Sequence, residues 1–383
     1  MRYKIINKKK FYATMLADLI GNLLFFPQRL KKVGEIRTEE IKEILVIRTA
    51  YIGDAVMTIP ILKPLKERFP GSRVTFLTST KAVGVLRNNP YVDDILVYDP
   101  FWFYPSTKRE YLRFIKTLKE KRFDLVIEAR GDIREILLLV WPLKARFKVG
   151  YNIGGGGYLL THVVPYKGTN HRVEYHLDIA RFLGCEIDKD IEWGIYLTGD
   201  EKKRVKEILE GEGVSLDKPM VAIHPGSRKE LKCWSQESYA KVADYIICEI
   251  EATVLLTGAP EEVPLVERVK GLMENRSVVL AGKTTLRELA GVISHCSLFI
   301  CNDSSPMHIA AAMKTPIVAI FGPSKSIETE PYGKGHIVVE RDFPCRYTCD
   351  EDVCLYKNYN QCIKDISVDD VISAVRKVLL SKK

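Results

Sequence analysis

The sequence predicts an α/β protein built from two modules, each a parallel sheet covered by helices. From Glu43 onward, short runs rich in β-branched residues alternate with longer amphipathic stretches, the order that parallel α/β units require. The alternation lapses across residues 151–218, where glycines and polar turns surround one helix-like stretch, and it resumes at 220–224. At 383 residues the chain also exceeds what a single hydrophobic core usually supports, so two modules with a boundary near 185–218 are expected.

In the first module the expected strands are ILVIR at 44–48, RVTFL at 73–77, DILVY at 94–98, DLVIE at 124–128 and KVGY at 148–151. Amphipathic stretches place helices between them at 54–69, 80–88, 107–121 and 131–143, with one more over 174–183 in the loosened region. The glycine run 154–157 reads as a flexible or turn segment between the modules. In the second module MVAIH at 220–224, VLLT at 254–257, VVLA at 278–281, LFIC at 298–301 and PIVAIF at 316–321 are strands separated by helical patterns. A closing helix over 368–380 could pack on either module.

The formal charge of +9 is not spread along the chain. Residues 1–34 carry Arg2, Lys4, Lys8, Lys9, Lys10, Arg29, Lys31 and Lys32 against the single acid Asp18, so +7 of the +9 lies there and the body offers no surface for nucleic acid. Between the basic clusters, FYATMLADLIGNLLFF (11–26) is short of the roughly 20 apolar residues that a membrane span needs. On a helix, Thr14, Asp18 and Asn22 form a narrow polar stripe opposite a wide apolar face. That pattern suits a helix lying in an anionic membrane surface through residues 1–34, and equally a helix packed on the protein body with its lysines solvated. No cleavage site follows the apolar run, so a cytoplasmic chain is expected, peripheral on the cytosolic face of the inner membrane where the helix meets lipid. Cys185, Cys233, Cys248, Cys296 and Cys301, scattered singly, read as reduced core residues.

In open parallel sheets ligands bind beyond the carboxyl ends of the strands, which directs attention to three loops. The first, RTAYIGDA (48–55), carries Gly53 at a tight turn and Asp54 where a helix begins; by itself Asp54 reads as a helix N-cap. The second, HPGSRKELKCWS (224–235), turns at Pro225-Gly226 and presents Ser227, Arg228 and Lys232, donors suited to a diphosphate. The third, NDSSPMH (302–308), leads into an apolar helix and crowds hydroxyls and free N–H groups at its positive end, a ready anion site. A dinucleotide-binding G-x-G-x-x-G turn and a Walker A sequence are both absent.

Four segments in this order resemble the bacterial heptosyltransferase family, glycosyltransferase family 9: ILVIRTAYIGDAVMTIPILKPLKERFP, HPGSRKELKCWS, LLTGAPEE, and CNDSSPMHIAAAMKTPIVAIFGPS followed by PYG. The resemblance covers residues 43–380 and implies the GT-B fold, two Rossmann-like domains facing each other across a cleft. The corresponding division is a basic extension at 1–42, an acceptor domain at 43–195, a nucleotide-sugar domain at 196–366 and a C-terminal helix at 367–383. It makes Asp54 the catalytic base, with Thr49 and Gly53 on the acceptor side. It makes Ser227, Lys232, Asp303, Ser304, Ser305 and His308 donor-binding, and it puts either Glu261 or Glu262 on the nucleotide ribose. The implied reaction is metal-independent, inverting transfer from ADP-heptose or a similar nucleotide sugar to a lipid-linked glycan acceptor such as a lipopolysaccharide core, with no cofactor required. A GT-B-shaped epimerase or hydrolase of nucleotide sugars, and a non-catalytic membrane-attached sugar-binding protein, stay open beside it.

Cys345, Cys349, Cys354 and Cys362 lie in the spacing C-x3-C-x4-C-x7-C, which invites a structural zinc or iron site. Disulfides are the competing reading and a reducing cytosol disfavours them. Asp350-Glu351-Asp352 does not follow a buried strand, as the D-x-D metal motif of the other glycosyltransferase fold would.

Overall fold

The computed structural model describes residue 3 and residues 8–25, 34–168, 170–349 and 351–380. Arg2, Lys4, Arg29, Lys31, Lys32 and Asp350 lie outside the described residues. Two compact units divide the chain between Trp193 and Gly194.

The first unit opens with helix α1 (Lys8–Leu24) and then builds strands β1 (Glu43–Ile47), β2 (Arg73–Thr78), β3 (Asp94–Val97), β4 (Phe123–Glu128), β5 (Ala145–Gly150) and β6 (His162–Val163). All pairings are parallel, in the order β3-β2-β1-β4-β5-β6. This Rossmann order reverses direction between β1 and β4, so loops leaving those two strands flank an open crevice. The last four residues of β1 are buried, which the unbroken Ile-Leu-Val-Ile run anticipates for a strand covered on both faces.

The expected helix over 54–69 is three pieces: α2 (Ile52–Thr58), a 3₁₀ turn (Ile59–Ile61) and α3 (Leu62–Arg68). Pro60 has no N–H to continue the α-helical ladder, and the turn tightens there. The expected helix over 80–88 reduces to a 3₁₀ turn at Val83–Val85; Gly84 weakens it and Asn88 stops it at φ +62. The pattern at 107–121 forms α4 (Lys108–Glu120), capped by Thr107 and Glu110. That at 131–143 forms one turn (Ile133–Glu135) that widens into a π-helix (Ile136–Val140). Helix α5 (Arg172–Phe182) closes the unit.

The second unit repeats the plan with β7 (Met220–His224), β8 (Thr253–Leu256), β9 (Val278–Val279), β10 (Leu298–Asn302), β11 (Ile317–Phe321) and β12 (Ile337–Glu340), again all parallel. Its order, β12-β11-β10-β7-β8-β9, puts the switch point between β7 and β10. Helices α6 (Gly199–Gly211), α7 (Gln236–Glu249), α8 (Val263–Leu272), α9 (Leu286–Ser294) and α10 (Ser305–Ala312) connect the strands. The closing helix α11 (Val368–Leu380) belongs to this unit: Val371, Ala374, Val375 and Val378 join the core formed by Ile223, Ile300 and Ile320.

Two strands escaped the sequence pattern: β6 is two residues long, and β12 is an edge strand with only Val339 fully buried. The glycine run 154–157 lies inside the first unit, where it packs against α1. Of the five scattered cysteines Cys185, Cys296 and Cys301 are buried, but Cys233 is half-buried and Cys248 is exposed on the outer side of α7, which corrects the expectation of five core thiols.

Candidate active site

In the first unit the site grows from the end of β1. Register pairs Ile47 with Glu128 of β4, so Arg48 and Thr49 leave the sheet directly beside that carboxylate. Asp54 is not the N-cap of α2. That position is Tyr51, and Asp54 is the third helical residue, its Oδ2 accepting from the Tyr51 N–H at 3.0 Å. This uses one carboxylate oxygen locally and turns the other, Oδ1, toward Arg48, whose Nη2 stands 2.5 Å away.

Arg48 is 5% exposed, and a buried guanidinium requires compensating charge. Burial works against its charged form, but Asp54, Glu135 and Glu128 outweigh burial and hold its pKa up. Burial likewise favours neutral Asp54, yet Arg48, then Arg130 and Arg172, bring its pKa well below the carboxylate range. Asp54 is therefore ionised throughout the physiological range. Glu128 and Glu135 are fully buried. Burial, and then Glu135, push Glu128 well above the usual carboxylate range, while its oxygens accept from the N–H groups of Arg130 (3.1 Å) and Gly131 (2.6 Å). Thr49 donates its hydroxyl to Glu135, and its carbonyl accepts from the Tyr104 hydroxyl at 3.2 Å. His176, pulled down to about 3 by burial and by Arg48, is neutral and bonds the Met57 carbonyl, tying α5 to α2. Arg130 and Arg134 lie over the Phe103 ring at 4.1 and 4.6 Å. Arg48 lay in the first loop without a role assigned to it, and Glu128, Arg130, Glu135 and Phe103 carried no motif. Their only sequence signals were a charged residue at each of two strand ends and a helix start rich in charge.

In the second unit Asn302, at the end of β10, stitches the loops at the switch point. Its Oδ1 accepts from the Trp234 N–H (3.0 Å) and the Tyr239 hydroxyl (2.9 Å), and its Nδ2 donates to the Pro225 carbonyl (2.7 Å). Lys232 Nζ stands 2.7 Å from Asp303 Oδ2 and 2.9 Å from Glu351 Oε2. Burial opposes its charge, but those two carboxylates keep its pKa raised. The Ser227 hydroxyl donates to the Asp303 carbonyl at 3.3 Å. Ser304 occupies the N-cap of α10, yet its buried Oγ has no hydrogen-bond partner among the described residues and does not cap the helix. Ser304 and Ser305 thus leave the first turn of α10 open to an anion. His308 is buried one turn further along.

Glu262 and Glu261 separate clearly. Glu261 is exposed, whereas Glu262 turns inward to accept from the Ala259 N–H (2.8 Å) and to stand 3.4 Å from His224 Nε2. Gly226 sits beneath it: a Cβ there would lie 2.0 Å from Glu262 Oε1 and would push that carboxylate from its place. Burial keeps the His224 pKa low, Glu262 opposing it.

Burial first, then the charge of Cys345, Cys349 and Cys354, pushes the Cys362 thiol up to about 11. No group of three or more His, Cys, Asp or Glu among the described residues is arranged to hold a metal ion.

Two Rossmann-type units, each with its polar residues at the switch point, and an open helix N-terminus beside a half-buried lysine define a glycosyltransferase of the GT-B class. The profile of glycosyltransferase family 9 (heptosyltransferase) matches residues 111–360, and the chain belongs to that family. It is 30% identical over 341 residues to lipopolysaccharide heptosyltransferase 3 of Escherichia coli K12, covering 86% of this chain and 96% of that protein. Among solved structures it is similar to a family 9 glycosyl transferase from Veillonella parvula (TM-score 0.77, 25% identity, 89% and 97% of the two chains). It is also similar to the Escherichia coli ADP-heptose lipopolysaccharide heptosyltransferase II (TM-score 0.71, 22% identity, 89% and 99%).

Replacing Asn302 by Ala strands the buried Trp234 N–H and Tyr239 hydroxyl, and should cost about 2–4 kcal/mol in urea unfolding. Glu128 provides a pH test. Its folded pKa is raised, so between the unfolded value of about 4.3 and the folded value the native state binds more protons, and stability falls as pH rises across that window. Thermal unfolding from acid to alkaline pH should show that decline in the wild type and a flatter profile in Glu128→Gln.

Proposed function

We propose that this chain transfers a heptose, or a closely related sugar, from an ADP-linked donor to a lipopolysaccharide-core or other cell-surface glycan acceptor, inverting the anomeric carbon without a catalytic metal. The observation that carries the reading is the pairing, at the β7–β10 switch point, of half-buried Lys232 with the open first turn of α10, where Ser304 Oγ is unpartnered among the described residues. Such a site suits a diphosphate, and its positive character grows in value as the diphosphate leaves. Glu262, turned into the site, is the acid assigned to the nucleotide ribose; Glu261 is not. Asp303 acts by holding Lys232 and, through its carbonyl, Ser227; its carboxylate has no place on a diphosphate.

On the acceptor side Thr49 and Gly53 shape the turn that presents Asp54. The acceptor oxygen attacks the anomeric carbon, the bond from that carbon to the diphosphate breaks, and the hydroxyl proton passes to Asp54. Arg48 makes Asp54 a weak base but keeps it ionised, which suffices because the hydroxyl becomes acidic as its bond to carbon forms. Arg130 and Arg172, near enough to act on Asp54, favour an acceptor that carries acidic groups. Peripheral attachment on the cytosolic face of the inner membrane belongs to the same reading; among the described residues no helix is long and apolar enough to cross a membrane.

Asp54→Asn should lower turnover by roughly 10²–10⁴-fold while donor affinity stays within about twofold. Nucleotide release and acceptor mass, followed across ADP-, UDP- and GDP-sugars with and without acceptor, provide the readout. Near-wild-type turnover in the variant would remove Asp54 as the base. Donor consumption without acceptor would point to an epimerase or hydrolase, and donor binding without any turnover to a non-catalytic sugar-binding protein. We also propose, on the C-x3-C-x4-C-x7-C spacing alone, a structural zinc or iron ion at Cys345, Cys349, Cys354 and Cys362, whose binding would require the thiols to draw together from their described arrangement. Elemental analysis of protein purified without chelator should find about one equivalent that is lost in Cys354→Ser; metal-free wild type with unchanged melting would end that assignment.

A further inference from the structure

Helix α1 meets the first unit with the side that amphipathic logic would leave in water. Asp18 is 2% exposed; its Oδ1 accepts from the Gly156 N–H at 2.8 Å and its Oδ2 from the Tyr3 hydroxyl at 2.7 Å. Asn22 donates to the Asp18 carbonyl. Gly21 is buried so closely against Tyr158 that a Cβ would fall 2.2 Å from its ring, and a Cβ on Gly155 would meet Thr14 at 2.6 Å. Phe25 stacks on Tyr158 and meets Trp141 edge-on. The polar stripe of Thr14, Asp18 and Asn22 is therefore the docking face, and the glycine run 154–157 is its receptor.

The opposite face carries Tyr12, Met15, Leu16, Leu19, Ile20, Leu23 and Leu24, spaced i, i+3, i+4, i+7, i+8, i+11 and i+12, each 48–71% exposed. Seven large apolar side chains on one helical face form a patch that a monomer in water rarely leaves open. The charge pattern says what covers it. Lys8, Lys9 and Lys10 occupy the first turn of α1 with no acid among them, where their charge opposes the helix dipole; an external anionic surface offsets that cost. Arg29, Lys31 and Lys32 follow in sequence, outside the described residues. A second copy of this face would bring like charge against like.

We propose that α1 lies in the plane of an anionic phospholipid surface, its Leu-Ile-Met face in the acyl boundary and Lys8 and Lys9 of its first turn among the headgroups, with Asp18 as the buried clamp that fixes the body to it. This rests on the reading of the chain as an enzyme acting on a lipid-linked acceptor, and it names the surface on which that enzyme works.

The test is sedimentation of the full chain with vesicles of phosphatidylcholine alone and of phosphatidylcholine mixed with phosphatidylglycerol. The wild type should partition to the mixed vesicles and be weakened by salt. Leu19→Glu with Leu23→Glu, both solvent-facing, should lower that partition at least about tenfold. Its thermal unfolding and its turnover of a soluble, delipidated acceptor should match the wild type. Equal partition of wild type and variant, or none by the wild type, overturns the proposal. So does a wild-type dimer that the variant loses, which would assign the face to a second copy. Vesicle binding is read without donor or acceptor: a chain that binds vesicles but transfers no sugar defeats the proposed function alone, and one that transfers sugar without binding defeats this inference alone.

Discussion

Arg48 emerges from the end of a fully buried strand, and its charge must be answered inside the fold. Burying a guanidinium without partners would cost several kcal/mol, so the surrounding carboxylates are arranged by that need. Asp54 takes the direct contact, and Glu135 provides the longer-range balance. The consequences spread outward. Glu128, crowded by a second buried carboxylate, is pushed toward its protonated form and ties the Arg130–Gly131 turn by accepting both N–H groups. Glu135 receives the Thr49 hydroxyl and so ties the first loop to the helix start after β4. The residue that carries the proposed chemistry is thus oriented by a charge it did not create.

The second unit solves the reverse problem. Lys232 is a half-buried cation held between Asp303 and Glu351, while the helix beginning at Ser305 presents its positive end uncapped. Asn302 makes this arrangement rigid by spending its whole amide on the three segments that meet there. Preorganisation of this kind matters for a leaving diphosphate, because donors already in place need no reorganisation when negative charge develops. Gly226 lets the Glu262 carboxylate lie over the same loop, since a Cβ there would displace it.

Helix α1 inverts the usual rule for a surface helix, and the glycines explain how. Gly21 lets the helix approach Tyr158, and the backbone of the 154–157 run supplies the N–H that Asp18 needs. With its one acid consumed inward, the helix shows only apolar residues and lysines outward.

Much of the architecture was legible in the chain itself. Strands covered on both faces are written as unbroken apolar runs, and the polar segments that follow them mark the carboxyl ends of the sheets, so the α/β class and the three loops could be read directly. Helices interrupted by Pro60, Gly84 or Asn88 were drawn too long, since apolar periodicity continues through a break that backbone geometry forbids. Local pattern was also silent on contacts between distant residues. Glu135 lies 86 positions from Thr49 and Asp303 lies 71 from Lys232, so no window of sequence contains either pair. The sequence by itself determined the fold class, the family and the loops proposed to carry the chemistry. Only the tertiary structure decided that Asp54 answers a buried arginine, that Glu262 and not Glu261 turns inward, and that α1 hides its polar side. Each of these depends on which charges and donors share a desolvated space, and folding alone brings them together.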